Sequence, residues 1–275
     1  MPELPETETI ARDLDRAVTG ARITAVSVRH ADVLREISPA DLRARAVGAR
    51  VERCWRRAKL VVLDLSSGDR IVVQPRFTGA LLLDDGTLPE SERRYATVSF
   101  TLNDGRHFHY RDIRRLGTLA VMDAERFAEY AGALGVEPLD ADFTGPRLAA
   151  VLGRSRQAVK KLLMDQRHIA GIGNIYANEA LWRARIDPSR EARQVTAESA
   201  SLLRDALVDV LAASIAARGT SFRDYRDANG AQGAFAEQLA VYGRAGCPCP
   251  RCGSRLIGTH AIDGRSTVFC AHCQQ

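Results

Sequence analysis

The pair of residues richest in chemistry stands at the very start of the sequence, where Pro2 is followed at once by the carboxylate of Glu3 within Met1-Pro2-Glu3-Leu4-Pro5-Glu6. A small second residue permits trimming of the initiator methionine, and trimming would leave a secondary amine. Such an amine attacks an aldehyde-like sugar carbon and yields a cationic iminium, while an adjacent acid can move protons at the same carbon. Taken alone, these residues are accounted for more simply as a stiffened chain start, with Glu6 and Glu8 charging the first turn of a helix.

A second group with chemistry lies at the other end. Five of the six cysteines fall in the last thirty residues. Cys249-Pro-Arg-Cys252 and Cys270-Ala-His-Cys273 form two Cys-x-x-Cys corners, separated by enough chain for two strands and a turn at Gly264. That spacing brings four thiolates to one tetrahedral centre, so one structural zinc ion is expected. A closed set of four leaves no coordination position for a substrate, and the metal should hold the hairpin rather than react. Cys247 offers an alternative ligand, at a spacing that suits a zinc corner less well, and His260 and His272 are expected to be exposed. The hairpin also presents Arg255 and Arg265, guanidinium groups placed either to grip phosphate or simply to face solvent.

A third motif is Lys160-Lys161-Leu-Leu-Met-Asp165 followed by Ile169-Ala-Gly171-Ile-Gly173-Asn174-Ile-Tyr-Ala-Asn178. Two helices flank a glycine-rich turn through which another backbone can approach, and the second helix start offers free N–H groups to a phosphate. Asn174 can cap its own helix or contact DNA; the cap is the simpler account.

These groups need scaffolds. The chain has 275 residues, 45% hydrophobic and 27% charged, enough for about two domains with cores of their own. No apolar run approaches the roughly 20 residues of a membrane span, and no basic segment precedes an apolar one at the start, so a cytoplasmic protein without a membrane partner is expected. A net charge of +5 with arginine-rich clusters favours a polyanionic partner, nucleic acid first. A reducing compartment makes a metal site more natural than disulfides, with Cys54 a buried thiol in a strand.

Apolar residues at Ile10, Leu14, Ala17 and Val18 predict a helix over 5–18. Short β-branched runs follow at 23–28, 46–54, 60–65, 71–73, 80–83, 97–102 and 107–110. Turns are expected at Ser67-Gly68-Asp69 and Asn103-Asp104-Gly105, and the whole reads as a two-layer β-sandwich. Helical spacing returns over 124–134, 144–152, 157–164, 175–184 and 197–217. A boundary is expected near 135–142, and residues 221–234, lacking any periodic apolar face, read as a mobile lid.

Four separated segments together resemble the bacterial formamidopyrimidine-DNA glycosylases, which share a fold with the endonuclease VIII group. They are Met1 to Glu6, Arg56-Arg-Ala-Lys59-Leu, Asp165 to Leu181, and Val241-Tyr-Gly-Arg244 through Cys273-Gln274. The resemblance spans essentially the whole chain. It implies an α+β fold: an N-terminal β-sandwich with a leading α-helix over 1–135, a helix-two-turns-helix domain with the lid over 136–240, and a four-cysteine zinc-finger β-hairpin over 241–275, damaged double-stranded DNA lying between the two main domains. It also implies a monomeric bacterial base-excision-repair enzyme in the cytoplasm, reaching the nucleoid through DNA. In that reading Pro2 is the nucleophile at C1′ and Glu3 the acid for base loss and ring opening. Lys59 matches the proton donor of β-elimination, and Arg265 the finger arginine tied to δ-elimination and phosphate. Arg114 matches an arginine inserted where the base leaves the stack, and Asn174 and Arg156 fall at phosphate contacts, Arg156 in place of a lysine. The zinc ligands are Cys249, Cys252, Cys270 and Cys273.

The sequence departs from the family pattern at the DNA-facing loops. Phe77 stands where methionine is usual, after an uncommon Pro75-Arg76; Leu116 replaces phenylalanine, Ile113 replaces proline, and Tyr95 replaces a histidine. An aromatic wedge therefore remains, but on the other loop. The long lid and the Glu3-Leu4 start favour excision of oxidised purines, 8-oxoguanine and formamidopyrimidines, with cleavage at abasic sites. The alternatives are an endonuclease VIII-like activity on oxidised pyrimidines and a lesion-binding protein that does not cut.

Overall fold

The computed structural model describes residues 2–275, and Met1, on whose removal the amine chemistry depends, lies outside the described residues. The chain divides into two compact units, Met1–Gly132 with Ile215–Ala236, and Ala133–Ser214 with Glu237–Gln275. The segment 221–234, expected to be a lid, thus belongs to the first unit, not to the helical stretch that precedes it, and the cysteine-rich hairpin belongs to the second.

The first unit opens with helix α1, Leu4–Val18, which starts on Glu3 with Pro5 in its first turn, where a missing N–H costs nothing. Its Ile10, Leu14 and Val18 are fully buried. Strand β1 (Ile23–Val28) is followed by a helix α2 (Pro39–Ala46) and strand β2 (Val51–Arg57). Residues 46–50 were expected to be extended. The strand begins later because α2, capped by the Ser38 hydroxyl that accepts from Asp41 N at 3.1 Å, runs through Ala46, and a turn follows with Ala49 N donating to Ala46 O at 3.2 Å and Gly48 at φ 88°. Strands β3 (Leu60–Leu65), β4 (Arg70–Gln74), β5 (Gly79–Asp84), the short helix α3 (Glu90–Arg93), β6 (Ala96–Leu102), β7 (His107–Asp112) and β8 (Thr118–Met122) complete the sandwich, and α4 (Ala124–Gly132) closes the stretch.

Two four-stranded antiparallel sheets result, ordered β1-β6-β7-β5 and β2-β3-β4-β8. Strand β8 was not anticipated; its run Leu119–Met122 is buried throughout and pairs with β4, so it lacks the alternation that marks a half-exposed strand. The expected turns at Gly68 and Gly105 join β3 to β4 and β6 to β7, both glycines in the left-handed region. Cys54 is buried as expected, and burial beside Asp15 pushes its thiol up.

Residues 221–234 are not the untethered loop that their composition suggests. Tyr225 and Ala228 enter the sandwich core, Leu83 N donates to Ala228 O at 2.8 Å, and Arg218 is gripped by Asp13 and Asp227. Anchors so far apart in sequence leave no local periodicity to read.

The loops β4–β5 and β7–β8 meet at Gly117, and Gly79 closes the first of them on itself. A Cβ on Gly117 would lie 2.1 Å from the Tyr110 hydroxyl and 2.5 Å from Gln74 O, and one on Gly79 would lie 2.2 Å from Pro75 O. Gly117→Ala should therefore lower stability by about 1–3 kcal/mol through forced displacement of backbone. Urea denaturation measures this, and a change within about 0.5 kcal/mol, as for an ordinary surface substitution, would contradict it.

The second unit contains α5 (Gly145–Leu152), α6 (Val159–Leu163), α7 (Asn174–Arg183), α8 (Ala197–Ala216) and the hairpin β9 (Ile257–Thr259) with β10 (Thr267–Phe269). Of α8, the residues up to Ser214 fall in this unit. Among the described residues no helix is long and apolar enough to cross a membrane.

Candidate active site and metal centre

Pro2 and Glu3 sit at the N-terminus of α1 and are buried, Glu3 to 2% exposure. Glu6, 1% exposed, fixes this corner: one carboxylate oxygen accepts from Glu3 N at 2.8 Å and the other from Thr220 N at 2.8 Å. The same carboxylate thus holds the candidate catalytic pair and the root of the segment 221–234. Sequence reasoning assigned Glu6 only to the helix dipole; the pattern Glu3-x-x-Glu6 was the available signal for a capping box.

Two further tethers orient α1. Arg56 Nε donates to Glu8 Oε2 at 2.8 Å, and Cys54 N donates to Asp15 Oδ1 at 2.7 Å. Early helix residues thus pair with late β2 residues, so the helix N-terminus and the end of β2 share one end of the unit. Lys59 lies just beyond that end of β2. It occupies the β2–β3 turn rather than a strand, because Ala58 takes the left-handed conformation at φ 51°. Pro2, Glu3 and Lys59 thereby stand at the same end of the unit.

The loop-borne candidates lie elsewhere in the same unit. Phe77 is 50% exposed, Leu116 39% and Ile113 36%, three of the seven large apolar side chains exposed among the described residues. The Arg114 guanidinium lies over the Phe77 ring, 5.6 Å from its centre. Asp112 binds both loops together: its carboxylate accepts from the Thr78 hydroxyl at 2.5 Å and from Gly117 N at 2.8 Å. Arg114 N in turn donates to Thr78 Oγ1 at 3.0 Å. Tyr95 contributes backbone support, its carbonyl accepting from Asp112 N at 3.1 Å, while its ring carries the Arg94 guanidinium.

In the second unit, Asn174 does not cap α7. Gly173 takes the cap position, and Asn174 Nδ2 reaches across to Ser266 O at 2.9 Å. The cap reading fails because the residue lies one position too late, and its amide instead fastens the turn bearing Arg265. Lys160, fully buried, holds the same turn: Nζ donates to Thr267 Oγ1 at 2.7 Å and lies 3.6 Å from Asp263 Oδ1. Asn178 Oδ1 accepts from Val268 N at 2.8 Å. Arg265 itself is exposed and shares one shallow depression with Gln157, Lys161 and Arg167; Arg156, also exposed, immediately precedes it in the chain at Gln157. Asn174 and the turn of Arg265 are thus brought together, and Arg156 adjoins Gln157, a residue of the same depression. None of the three supporting roles, of Lys160, Asn178 and Glu179, was legible in the sequence.

Glu179 is fully buried and accepts from three consecutive backbone N–H groups, Ala240 and Val241 at 2.9 Å and Tyr242 at 2.8 Å, which fixes where the chain enters the hairpin. The sulfurs of Cys249, Cys252, Cys270 and Cys273 lie within 4.8 Å of one another. Cys252 and Cys270 are 3.6 Å apart and Cys249 and Cys273 are 4.0 Å apart. Tetrahedral ligation at a metal–sulfur distance near 2.3 Å needs sulfurs about 3.8 Å apart, so the four residues can hold one metal ion. Cys247 is exposed and outside this group, as are His260 and His272.

The surroundings favour anionic sulfur. Burial pushes the Cys249 thiol up, but the Trp182 indole N–H and the N–H groups of Arg251 and Cys252 outweigh it and bring it down to about 6. Trp182 Nε1 is buried and has no oxygen or nitrogen acceptor among the described residues, which a thiolate would supply. Burial and the neighbouring sulfurs push Cys273 up to about 12, so without a cation the cluster keeps a share of its protons.

The architecture defines a class: a β-sandwich unit carrying a buried N-terminal proline and glutamate, joined to a helical unit that ends in a hairpin bearing four clustered cysteines. Comparison with known proteins narrows it. A model of the formamidopyrimidine-DNA glycosylase N-terminal domain matches residues 1–119, and one of the formamidopyrimidine-DNA glycosylase H2TH domain matches residues 134–226. The chain is 42% identical to the formamidopyrimidine-DNA glycosylase of Chloroflexus aurantiacus and 38% identical to that of Desulforamulus reducens, covering all of this chain and 98% and 99% of the relatives. The crystal structure of the MutM (Fpg) protein from Thermus thermophilus superimposes with a TM-score of 0.87 at 37% identity, covering 99% of this chain and 98% of that one. Lactococcus lactis Fpg in complex with DNA containing an abasic site gives 0.91 at 29% identity, covering 99% of both. The chain belongs to the formamidopyrimidine-DNA glycosylase family.

Proposed function

We propose that this protein is a bifunctional DNA glycosylase and abasic-site lyase of base excision repair, acting on oxidised purines in double-stranded DNA. The observation that carries the reading is membership of the family over the whole chain together with a buried Pro2-Glu3 start, whose Glu3 N–H is held by Glu6 at the head of α1. With Met1 removed, the Pro2 nitrogen attacks C1′ of the damaged nucleotide. The N-glycosidic bond breaks and the base departs; the amine nitrogen then loses its proton and the O4′–C1′ bond opens, with Glu3 able to supply a proton to O4′, so that an iminium remains between Pro2 and C1′ of the ring-opened sugar. The iminium acidifies the C2′ hydrogen; its loss expels the 3′ phosphate by β-elimination, and a second elimination expels the 5′ phosphate. Lys59 is proposed to serve the first elimination, and Arg265 to serve the second and hold phosphate.

Because a stacked base is out of reach, the nucleotide must be extruded and the gap filled. Phe77, Leu116 and Arg114 are proposed to fill it, with Tyr95 nearby, and Arg156 and Asn174 to contact the backbone. The segment 221–234 is proposed to cover the extruded base. One zinc ion is proposed for the four thiolates; when bound it clasps the hairpin and supplies no reactive group.

A panel of defined duplexes tests this reading. Release of 8-oxoguanine and formamidopyrimidines, with nicking of abasic duplex, is expected to exceed release of oxidised pyrimidines by at least about tenfold, the scale of pocket discrimination. Preferred release of oxidised pyrimidines would overturn the purine assignment, and tight binding without product would overturn the enzymatic one.

A further inference from the structure

From the geometry we infer that Arg111, which neither the sequence motifs nor the proposed chemistry uses, is a positioning residue that links the base-covering segment to the gap-filling loops. Its guanidinium is 4% exposed on β7. One nitrogen, Nη1, donates to Thr78 O at 2.9 Å and lies 3.4 Å from Asp224 O, so a single group touches both the Phe77 loop and the segment 221–234. The other, Nη2, pairs with Glu92 Oε2 at 2.7 Å. Glu92 is shared with the same segment, its Oε1 lying 4.0 Å from Arg226 Nε. The next residue along the strand, Asp112, ties the two gap-filling loops to each other through Thr78 and Gly117.

A guanidinium suits this junction because its donors are fixed in a plane and serve several acceptors at once. A buried cation must keep its partners, so movement of either segment away from Arg111 is opposed. Arg111 thereby makes the position of the base cover depend on the seating of the wedge. The Asp112 bonds hold the wedge without it. This selects between the two activities: base excision needs cover and wedge together, whereas cleavage at an existing abasic site has no base to cover.

The inference rests on the proposed glycosylase and lyase activities, and the test separates the two. Arg111→Met keeps length and packing but removes the link, and Glu92 retains Arg226 as a partner. Single-turnover excision of 8-oxoguanine should fall about tenfold, while cleavage of the same duplex carrying a pre-formed abasic site should stay within about twofold. Arg111→Lys, which reaches one acceptor but not the set, should restore excision in part. Arg226→Met, a milder cut on the other arm, should lower the excision-to-cleavage ratio in the same direction and serves alone if Arg111→Met does not fold. An unchanged ratio, or a parallel loss of both activities, overturns the coupling role. Wild-type protein that neither excises nor nicks overturns the proposed function instead.

Discussion

Pro2→Gly is expected to reduce sharply the borohydride-trapped adduct with abasic-site DNA and to lower base excision on the order of 10³-fold, the range seen when a covalent nucleophile is impaired. The size follows from the amine. A secondary amine condenses with C1′ to a species that is cationic at any pH, whereas a glycine amine gives an imine that must first gain a proton. Glycine also frees a backbone torsion that proline fixes, at a position buried against the head of α1. Binding of a duplex carrying a non-hydrolysable abasic analogue should be little changed, since the loops and the hairpin that would grip DNA are intact. Intact mass belongs to the same experiment: active preparations should lack Met1. An undiminished adduct with the variant, or full activity in protein that retains its first residue, would remove the nucleophile from the mechanism.

Stripping zinc with a competing chelator should cost at least about a hundredfold in duplex affinity and melt the hairpin, because binding energy of a structural zinc site, about 10–16 kcal/mol, is folding energy. The local core explains the dependence. It consists of Val241, Cys249, Leu256, Val268 and Cys270, two of its five members being proposed ligands, and its strands are three residues long. A two-stranded hairpin of that size is not stable by itself. The turn carrying Arg265 would keep its ties to Lys160 and Asn174 but lose the clasp below it.

A graded version replaces Trp182 with phenylalanine. The indole packs against the cysteine cluster, lowers the Cys249 thiol, and lies under the Arg251 guanidinium at 4.3 Å. Losing its N–H should speed zinc transfer to a chromogenic chelator about 10–100-fold while leaving zinc bound at rest, as for other outer partners of metal ligands. Undiminished DNA affinity in metal-free protein would refute the clasp.

Much of this is legible in the sequence itself. Helix α1, strands β1 and β3 and the two glycine turns follow from short-range signals: apolar period, β-branched runs and left-handed turn residues. The four cysteines declare their cluster through spacing, and Pro2-Glu3 declares its chemistry through residue type and place.

What the sequence alone could determine are the properties carried by neighbours in the chain: element type, the ligand set and the reactive pair. The tertiary structure decided which distant groups share a partner. Glu6 reaching Thr220, Lys160 and Asn174 reaching the turn of Arg265, and Arg111 spanning Thr78 and Asp224 are pairings between residues 33 to 214 positions apart. Such pairings leave no periodicity, since a hydrogen bond needs only one well-placed donor and acceptor, and the folded backbone alone brings them within reach.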